Sequence, residues 1–350
     1  MSQERRGRTM TSLPAASRNL ALPTRFAKLP PLRLGAGSMR PQLPVLAAQG
    51  RLARFGRIAL MTWFTTISAQ RLVVLAGTGE FGFDARLYRE AAATWLVGLN
   101  PWSVSLNDTY FAAPPPSLLV ASILVPLPAW LAGPCVAGVG LAGTAWALRR
   151  LRLPPWWLLF PPLVDGLWNG DLDVLLLPLL LLPGVAAGAG VFAKVYAAVP
   201  LAILGRWRPL VVALLVGVIT FPVLQWPAYL ADVAAINERL LHQSSGGMSG
   251  FVWLPLVPVG LLALVVMGRR RAAWLSVPAL WPWSQWYYSV LAVPGLTPLA
   301  AAVFAVPIQG APVVGCLLVA LQARLAGESW MAVEPAALGR RPEPDRLAGE

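Results

Sequence analysis

The sequence predicts an all-α, polytopic membrane protein: a bundle of about ten transmembrane helices with a long outer loop after the first. Hydrophobic residues make up 57% of the 350 residues and charged ones only 12%, with a mean hydropathy of +0.63. A soluble domain carries about 25% charged residues, so too few polar side chains remain to cover a water-facing surface. Apolar runs also recur between residues 58 and 321, and roughly 20 residues cross a hydrocarbon core about 30 Å thick. These runs lack the period-2 alternation of barrel strands. With no water inside a bilayer to satisfy backbone groups, helices are the remaining solution.

Residues 1–57 hold eleven Lys or Arg against one acid, Glu4, with Pro and Gly scattered through. That composition predicts a disordered basic arm beside the cytoplasmic leaflet and a cytoplasmic N-terminus. The first apolar segment begins too late and runs too long for a cleavable signal peptide. Within a transmembrane region 58–323, spans are expected at 58–77, 116–132, 134–148, 155–169, 172–186, 189–204, 209–227, 251–267, 272–291 and 298–321. Pro126, Pro128, Pro161, Pro162 and Pro178 would kink or break theirs. The tail 324–350, with mixed charge and several Pro and Gly, is predicted to be disordered and cytoplasmic.

Walking outward from a cytoplasmic N-terminus puts residues 78–115 and 228–250 outside, and Arg206, Arg208, Arg269, Arg270 and Arg271 inside, as the positive-inside rule asks. Arg149, Arg150 and Arg152 fall outside in that count. Either 116–186 contains a re-entrant or half-length segment, or these arginines serve the outer face.

The net charge of +13 gathers at segment ends rather than forming a stripe through a folded domain, so no nucleic-acid partner is expected. Cys135 and Cys316 lie far apart in apolar runs, and His242 is the single histidine. Neither a disulfide framework nor a histidine zinc site is expected, and no metal or other cofactor. Chemistry must then rest on carboxylates, Arg, Lys, amides or hydroxyls.

The first loop opens Glu80-Phe81-Gly82-Phe83-Asp84-Ala85-Arg86-Leu87-Tyr88-Arg89-Glu90. Residues 85–96 are good helix formers with apolar positions at 87, 91, 92, 95 and 96, an amphipathic helix expected to lie in the interface. Asp84 stands just before it, where a carboxylate caps a helix; a catalytic role is the competing reading. Tyr88, one turn on, would face the same side. Lys194, one of two lysines, lies in an apolar stretch where a cation needs a partner or a polar cavity. Contact with a phosphate and structural pairing with Asp171 or Asp173 both fit. The cluster Asp165, Asp171 and Asp173 reads as a cation site or as acids comfortable in the turn that Asn169 and Gly170 mark. His242 reads as an exposed loop residue or a sugar contact. Trp281, Trp283 and Trp286 read as interface anchors or stacking surfaces.

Several short motifs follow in a telling order. Asp84 and Tyr88 come after the first span, then Gly98-Leu99-Asn100-Pro101-Trp102 and the run Tyr110-Phe111-Ala112-Ala113-Pro114-Pro115-Pro116 into the second. Gly170-Asp171-Leu172-Asp173, Phe192-Ala193-Lys194-Val195-Tyr196-Ala197-Ala198-Val199-Pro200, His242-Gln243-Ser244 and Trp281-Pro282-Trp283-Ser284-Gln285-Trp286-Tyr287-Tyr288 complete the series. From about residue 58 to 300 the chain resembles glycosyltransferase family 87, GT-C-fold enzymes that transfer a sugar, typically mannose, from a polyprenyl phosphate carrier outside the membrane. The family's Gly-Gln-x-Asn stands here with acids, its Asn-Gln-Ser with His242, and its last motif without a histidine.

The resemblance implies a GT-C-like bundle that moves mannose from a lipid-linked donor to a glycolipid or glycan acceptor at the outer face of the cell membrane, with both termini cytoplasmic. It implies Asp84 as general base, with inversion at the anomeric carbon. Substrate contacts are expected from Arg86, Tyr88, Asn100, Tyr110, Lys194, His242, Gln243, Gln285 and Tyr287. A non-enzymatic lipid or solute transporter, in which Lys194 pairs with Asp171 or Asp173 along a route, is the alternative from another class. An inactive family member is the third.

Overall fold

The computed structural model describes the backbone of residues 43–78, 81–243 and 247–326, and the side chains of 54–77, 81–240 and 247–326. The chain divides into two compact units, Met1–Gly50 and Arg51–Glu350. Of the first, only the opening of a helix is described. The second is built mostly of helices.

Helix α1 covers Leu43–Thr78, so residues 43–57 are helical rather than part of a disordered arm. The stretch is dense in Ala, Leu, Arg and Gln, all good helix formers, and Pro44 falls in its first turn, where a missing N–H is harmless. The rest of the expected arm, 1–42, and the tail from 327 lie outside the described residues. Helix α2, Phe83–Leu96, begins after a left-handed Gly82. A 3-10 turn at Pro101–Ser103 and a hairpin of β1 (Ser105–Leu106) and β2 (Thr109–Tyr110), antiparallel with Ser105 opposite Tyr110, follow it.

The sequence predicts spans over 116–132 and 134–148; the chain instead forms the seven-residue α3, Pro116–Ser122, then an irregular stretch, then α4, Ala129–Arg150, which runs straight through Pro134. A proline disfavours the α region at the residue before it and lacks an N–H to donate, and Pro126 and Pro128 fall in this irregular stretch. The helix at 116–122 is therefore much shorter than the span expected over 116–132. Helix α2 does not lie apart in an interface. It packs against α3 and α4 and buries Ala85, Leu87, Tyr88, Ala91 and Ala92.

Beyond α4 most of the expected spans are interrupted. The chain continues as α5 (Pro161–Asn169), a 3-10 turn (Leu172–Leu175), α6 (Leu176–Leu180), α7 (Ala189–Ala193) and α8 (Ala198–Ile203). Between α7 and α8 the backbone of Lys194 is extended, with φ −149° and ψ 123°. Then come α9 (Trp207–Thr220), α10 (Trp226–Gln243), α11 (Leu256–Val266) and α12 (Arg269–Leu280). A 3-10 helix over Trp286–Gly295, α13 (Pro298–Phe304) and α14 (Ala311–Leu325) complete the chain. Among the described residues, two helices are long and apolar enough to cross a membrane, Arg54–Gly77 and Ala129–Arg150, with shorter apolar helices at Gly184–Ala193, Trp207–Thr220, Leu256–Val266 and Ala311–Leu325. Several interruptions fall at prolines, as at Pro126, Pro128 and Pro183, whereas the break at Lys194 has none.

Helix α4 is the ruler of this unit. Its small residues Gly140 and Gly143 lie against Val174 and Pro178, so the chain from 170 to 180 runs along it in close contact. Its start meets Gly82, where a Cβ on Gly133 would stand 2.6 Å from the Gly82 Cα. Its end carries Arg149 and Arg150. At 1.5 Å per residue, its 22 residues separate those ends by about 33 Å. Alongside, Arg71 pairs with Asp165 at 2.6 Å, Ser68 donates to the Leu159 carbonyl, and Phe64 packs on Trp156, Trp157 and Phe160. Helix α1 thus rises from the arginine end toward the Gly82 end, antiparallel to α4.

Candidate functional site

Three glycines bring the site together. The Gly82 N–H donates to the Trp168 carbonyl at 2.8 Å. A Cβ on Gly82 would lie 2.4 Å from the Gly133 Cα, and one on Gly170 would lie 3.2 Å from the Gly82 Cα. Gly82 and Gly170 both hold positive φ, 71° and 65°, which a glycine adopts without steric penalty. Asp84 follows the first by two residues and Asp171 the second by one, so this meeting of backbones sets two carboxyls side by side.

Asp84 lies within α2, one position into its first turn, and makes no capping hydrogen bond; Gly82 holds the N-cap position. The capping role expected from sequence is therefore not the one it fills. Its carboxyl is within hydrogen-bonding reach of Asp171. Although the residue is only half-buried by surface area, protein surrounds the carboxyl closely. Burial, and then the Asp171 charge, hold it well above the usual carboxylate range, against the pull of Lys194.

Lys194 stands where the chain breaks between α7 and α8, and its ammonium lies 3.3 Å from Asp171 Oδ1 and 3.2 Å from Asp173 Oδ2. All three side chains are buried or nearly so. Asp171 also accepts the Asp173 N–H at 2.9 Å, capping the 3-10 turn that follows. The Tyr287 hydroxyl is within reach to donate to Asp171. Lys194 Nζ sits 5.4 Å from the Tyr88 ring centroid, so Tyr88 does share a face with Asp84. Burial keeps the Tyr88 phenol above its usual value, despite Lys194. Below the ammonium, the rings of Tyr196 and Tyr288 lie 4.6 Å apart, and Tyr288 lies 5.4 Å from Tyr287.

No family model, curated protein or solved structure matches the chain. The site's chemistry is read from its own geometry. Both readings of Lys194 bear on it, and the pairing is what the structure contains: the ammonium occupies the space between Asp171 and Asp173 that a bound cation would need. Asp165, the third acid of that sequence cluster, pairs instead with Arg71. Asp173 Oδ2 meets the Lys194 ammonium, whereas Asp173 Oδ1 and the Tyr196 hydroxyl are buried without a hydrogen-bond partner among the described residues, as is Arg86 Nε on α2. A buried group left so costs about 1–3 kcal/mol.

Other expected contacts are placed elsewhere. Asn100 uses both ends of its amide, accepting from the Trp102 N–H and donating to Asp232 Oδ2. The Tyr110 ring lies 4.5 Å from the Arg239 guanidinium, which also donates to the Trp102 carbonyl. These contacts tie the first loop to α10 rather than reaching the acids. Gln285 is half-buried just before the 3-10 helix that carries Tyr287. The side chains of His242 and Gln243, at the end of α10, lie outside the described residues. Arg89 donates to the Leu127 and Val125 carbonyls and pairs with Glu90, which holds the irregular stretch before α4. Trp286 is buried, donates to the Phe304 carbonyl and stacks under Arg71, so it packs the interior rather than anchoring an interface.

Sequence reasoning offered Asp171 or Asp173 as a structural partner of Lys194, beside the alternative of a phosphate contact, and missed that both acids join Asp84; it did not single out Tyr196 and Tyr288. The signal for the acids was present in their position next to Gly170. Nothing in the local sequence announces the two tyrosines.

Proposed function

We propose that the chain is a membrane glycosyltransferase that moves a sugar, with mannose the first to test, from a polyprenyl phosphate carrier to a glycolipid or glycan acceptor. One observation carries the reading: Asp84, Asp171, Asp173, Lys194 and Tyr287 converge from separate elements around buried polar atoms that lack partners. A sugar phosphate brings a hydroxyl donor for Asp173 Oδ1 and an anion for Arg86, as a carbohydrate site asks. The resemblance to glycosyltransferase family 87 rests on the same residues.

In this mechanism the acceptor oxygen attacks the anomeric carbon as the bond to the phosphate oxygen breaks, and the acceptor proton passes to Asp84. A carboxylate whose pKa is raised is a better proton acceptor than an ordinary one. Lys194 is already held by two carboxylates, so it orients Asp171 and Asp173 while Arg86 meets the departing phosphate. Tyr88 and Tyr287 position the two carboxyls through their hydroxyls. An apolar groove of about 280 Å³, lined by Leu72, Leu141, Val164, Leu167, Phe81 and Trp168 among others, opens beside Gly82 and suits a hydrocarbon tail.

A membrane setting is supported by the exposure of the apolar helices. The apolar windows of α1 and α4 are only 22% and 39% buried, whereas the core helix of a soluble protein hides its apolar residues. Val73, Ile123, Leu214 and Ile219 face outward. With 116–122 read as a half-length segment, a single crossing by α4 carries the chain from the Asp84 side to Arg149, Arg150 and Arg152. The positive-inside rule then holds for all three, with the site on the outer face.

A transporter remains the second reading, because the chain breaks at Lys194 as helices do at transporter binding sites. Purified protein in lipid nanodiscs, offered radiolabelled polyprenyl phosphate mannose and a membrane glycolipid pool, separates the two. Transfer by wild type and none by Asp84→Asn supports the enzyme. Failure with several carrier-linked sugars, together with flipping of a labelled lipid that is insensitive to Asp84→Asn, replaces it with the transporter.

A further inference from the structure

The end of α4 away from the site collects cations with no acids beside them among the described residues. Arg149, Arg150 and Arg152 are exposed there. Arg150 lies close enough to act on the charge of Arg206, which donates to the carbonyls of Leu180 and Leu182. Arg208 is exposed two residues on. Arg269 reaches the same place from α12: its guanidinium donates to the Ile203 carbonyl and abuts Gly205. Three stretches far apart in sequence therefore deliver guanidinium groups to one end.

The acids of the described residues are elsewhere. They lie on α2, the hairpin loop, the 171–173 turn and α10, and Asp165 is held by Arg71. Like charges gathered without counter-charges repel, and burial of Arg206 together with the Arg150 cation pushes its guanidinium below its usual value. An anion from outside the described chain relieves that repulsion. The patch also borders apolar surface. Arg150 lies 5.7 Å from the ring of Trp146, and Trp207 and Val211 are exposed beside Arg208. Guanidinium groups next to tryptophans at the rim of an apolar belt match the level of lipid headgroups. A nucleic acid or an acidic protein would meet the charges but not the belt.

We infer that this arginine-lined end is a docking surface for the phosphate headgroups of anionic membrane lipids. Each guanidinium offers paired N–H donors that fit phosphate oxygens, and the neighbouring tryptophans and exposed aliphatic side chains receive the start of the acyl chains. The inference rests on the membrane setting and is independent of sugar transfer.

Native mass spectrometry of the full chain in mild detergent, offered phosphatidylglycerol or phosphatidylcholine, tests it. Wild type is expected to retain phosphatidylglycerol in preference, and added salt to weaken the retention. Replacing all of Arg149→Gln, Arg150→Gln and Arg152→Gln lowers the affinity by roughly fivefold per arginine. Lysine at the same three positions keeps most of it, and Arg239→Gln at the opposite end leaves it unchanged. Equal retention of the two lipids by wild type overturns the inference. So does a lysine variant that binds as poorly as the glutamine one, or an equal loss with Arg239→Gln.

Discussion

Asp84 carries the most chemistry per atom in this protein. As the base of the proposed transfer it must be ionised, and its raised pKa is expected to move the acid limb of a transfer-rate profile upward, above the range near 4 where an ordinary Asp titrates. A rate profile falling only below pH 4 would show that another group takes the proton. Asp84→Asn is expected to lower transfer by about 10²–10⁴-fold, the usual worth of a positioned base, without loss of folded protein by circular dichroism. The same shift has a sign in stability. Because the folded state holds the proton more tightly than the unfolded chain, the contribution is complete below the ordinary value of 3.8 and is lost as pH rises through the folded value. Lys194 poses a different question. Lys194→Ala leaves Asp171 and Asp173 buried without their cation, a loss of about 3–5 kcal/mol. Adding Asp171→Asn and Asp173→Asn to Lys194→Met is expected to recover most of the thermal stability while transfer stays absent. If transfer returned with stability, the triad would be structural alone.

At the scale of elements, the contact between the Gly82 turn, the start of α4 and the Gly170 turn decides whether a site exists. Gly82→Ala forces a Cβ into the Gly133 backbone and puts a side chain at positive φ, with an expected destabilisation of about 1–3 kcal/mol. Gly98→Ala has the same kind of backbone strain, at φ +81°, but open space around it. Comparing the two melting temperatures separates close approach from conformational strain. An equal drop for both would mean that the packing of the two turns contributes nothing. The break at Lys194 belongs to the same scale. A continuous helix from 189 to 203 would keep its backbone groups bonded to one another; the break gives Lys194 an extended backbone from which its side chain meets the acids, and an irregular backbone is tolerated in an apolar setting only where protein or a polar cavity surrounds it.

For the molecule as a whole, α4 sets a distance and a direction. Along α4 the Gly133 contact beside the site and Arg149 lie about 24 Å apart, and the whole helix, about 33 Å long, matches the thickness of a bilayer core. Single cysteines introduced as Ser103→Cys and Arg149→Cys, in a background with Cys135 and Cys316 replaced, are expected to react with an impermeant maleimide from opposite faces of sealed vesicles. Labelling of both from one face would rule out this arrangement.

The apolar composition and the absence of strand periodicity were enough to read helices, and the motif order was enough to single out Asp84, Tyr88, Lys194 and Tyr287, because those signals are local and survive in a linear string. The number of uninterrupted helices was not legible in the same way. Hydropathy reports which residues avoid water, while prolines at 126, 128, 161 and 162 decide whether the backbone can stay helical, and whether Pro134 breaks α4 depends on what packs around it. Asp171 and Asp173 were visible as acids near a turn, but their joining Asp84 depends on a contact between Gly82, Gly133 and Gly170 that spans 88 positions of the chain. Asn100 and Tyr110 illustrate the converse: their motifs are plain in sequence, yet the docking of α10 occupies them. The amino-acid order thus determined that the chain is strongly apolar and mostly helical, and which side chains are chemically unusual in such a chain. Tertiary structure decided which of them meet, because burial and charge act through space, and only close backbone approach brings a lysine and three carboxyls within each other's field.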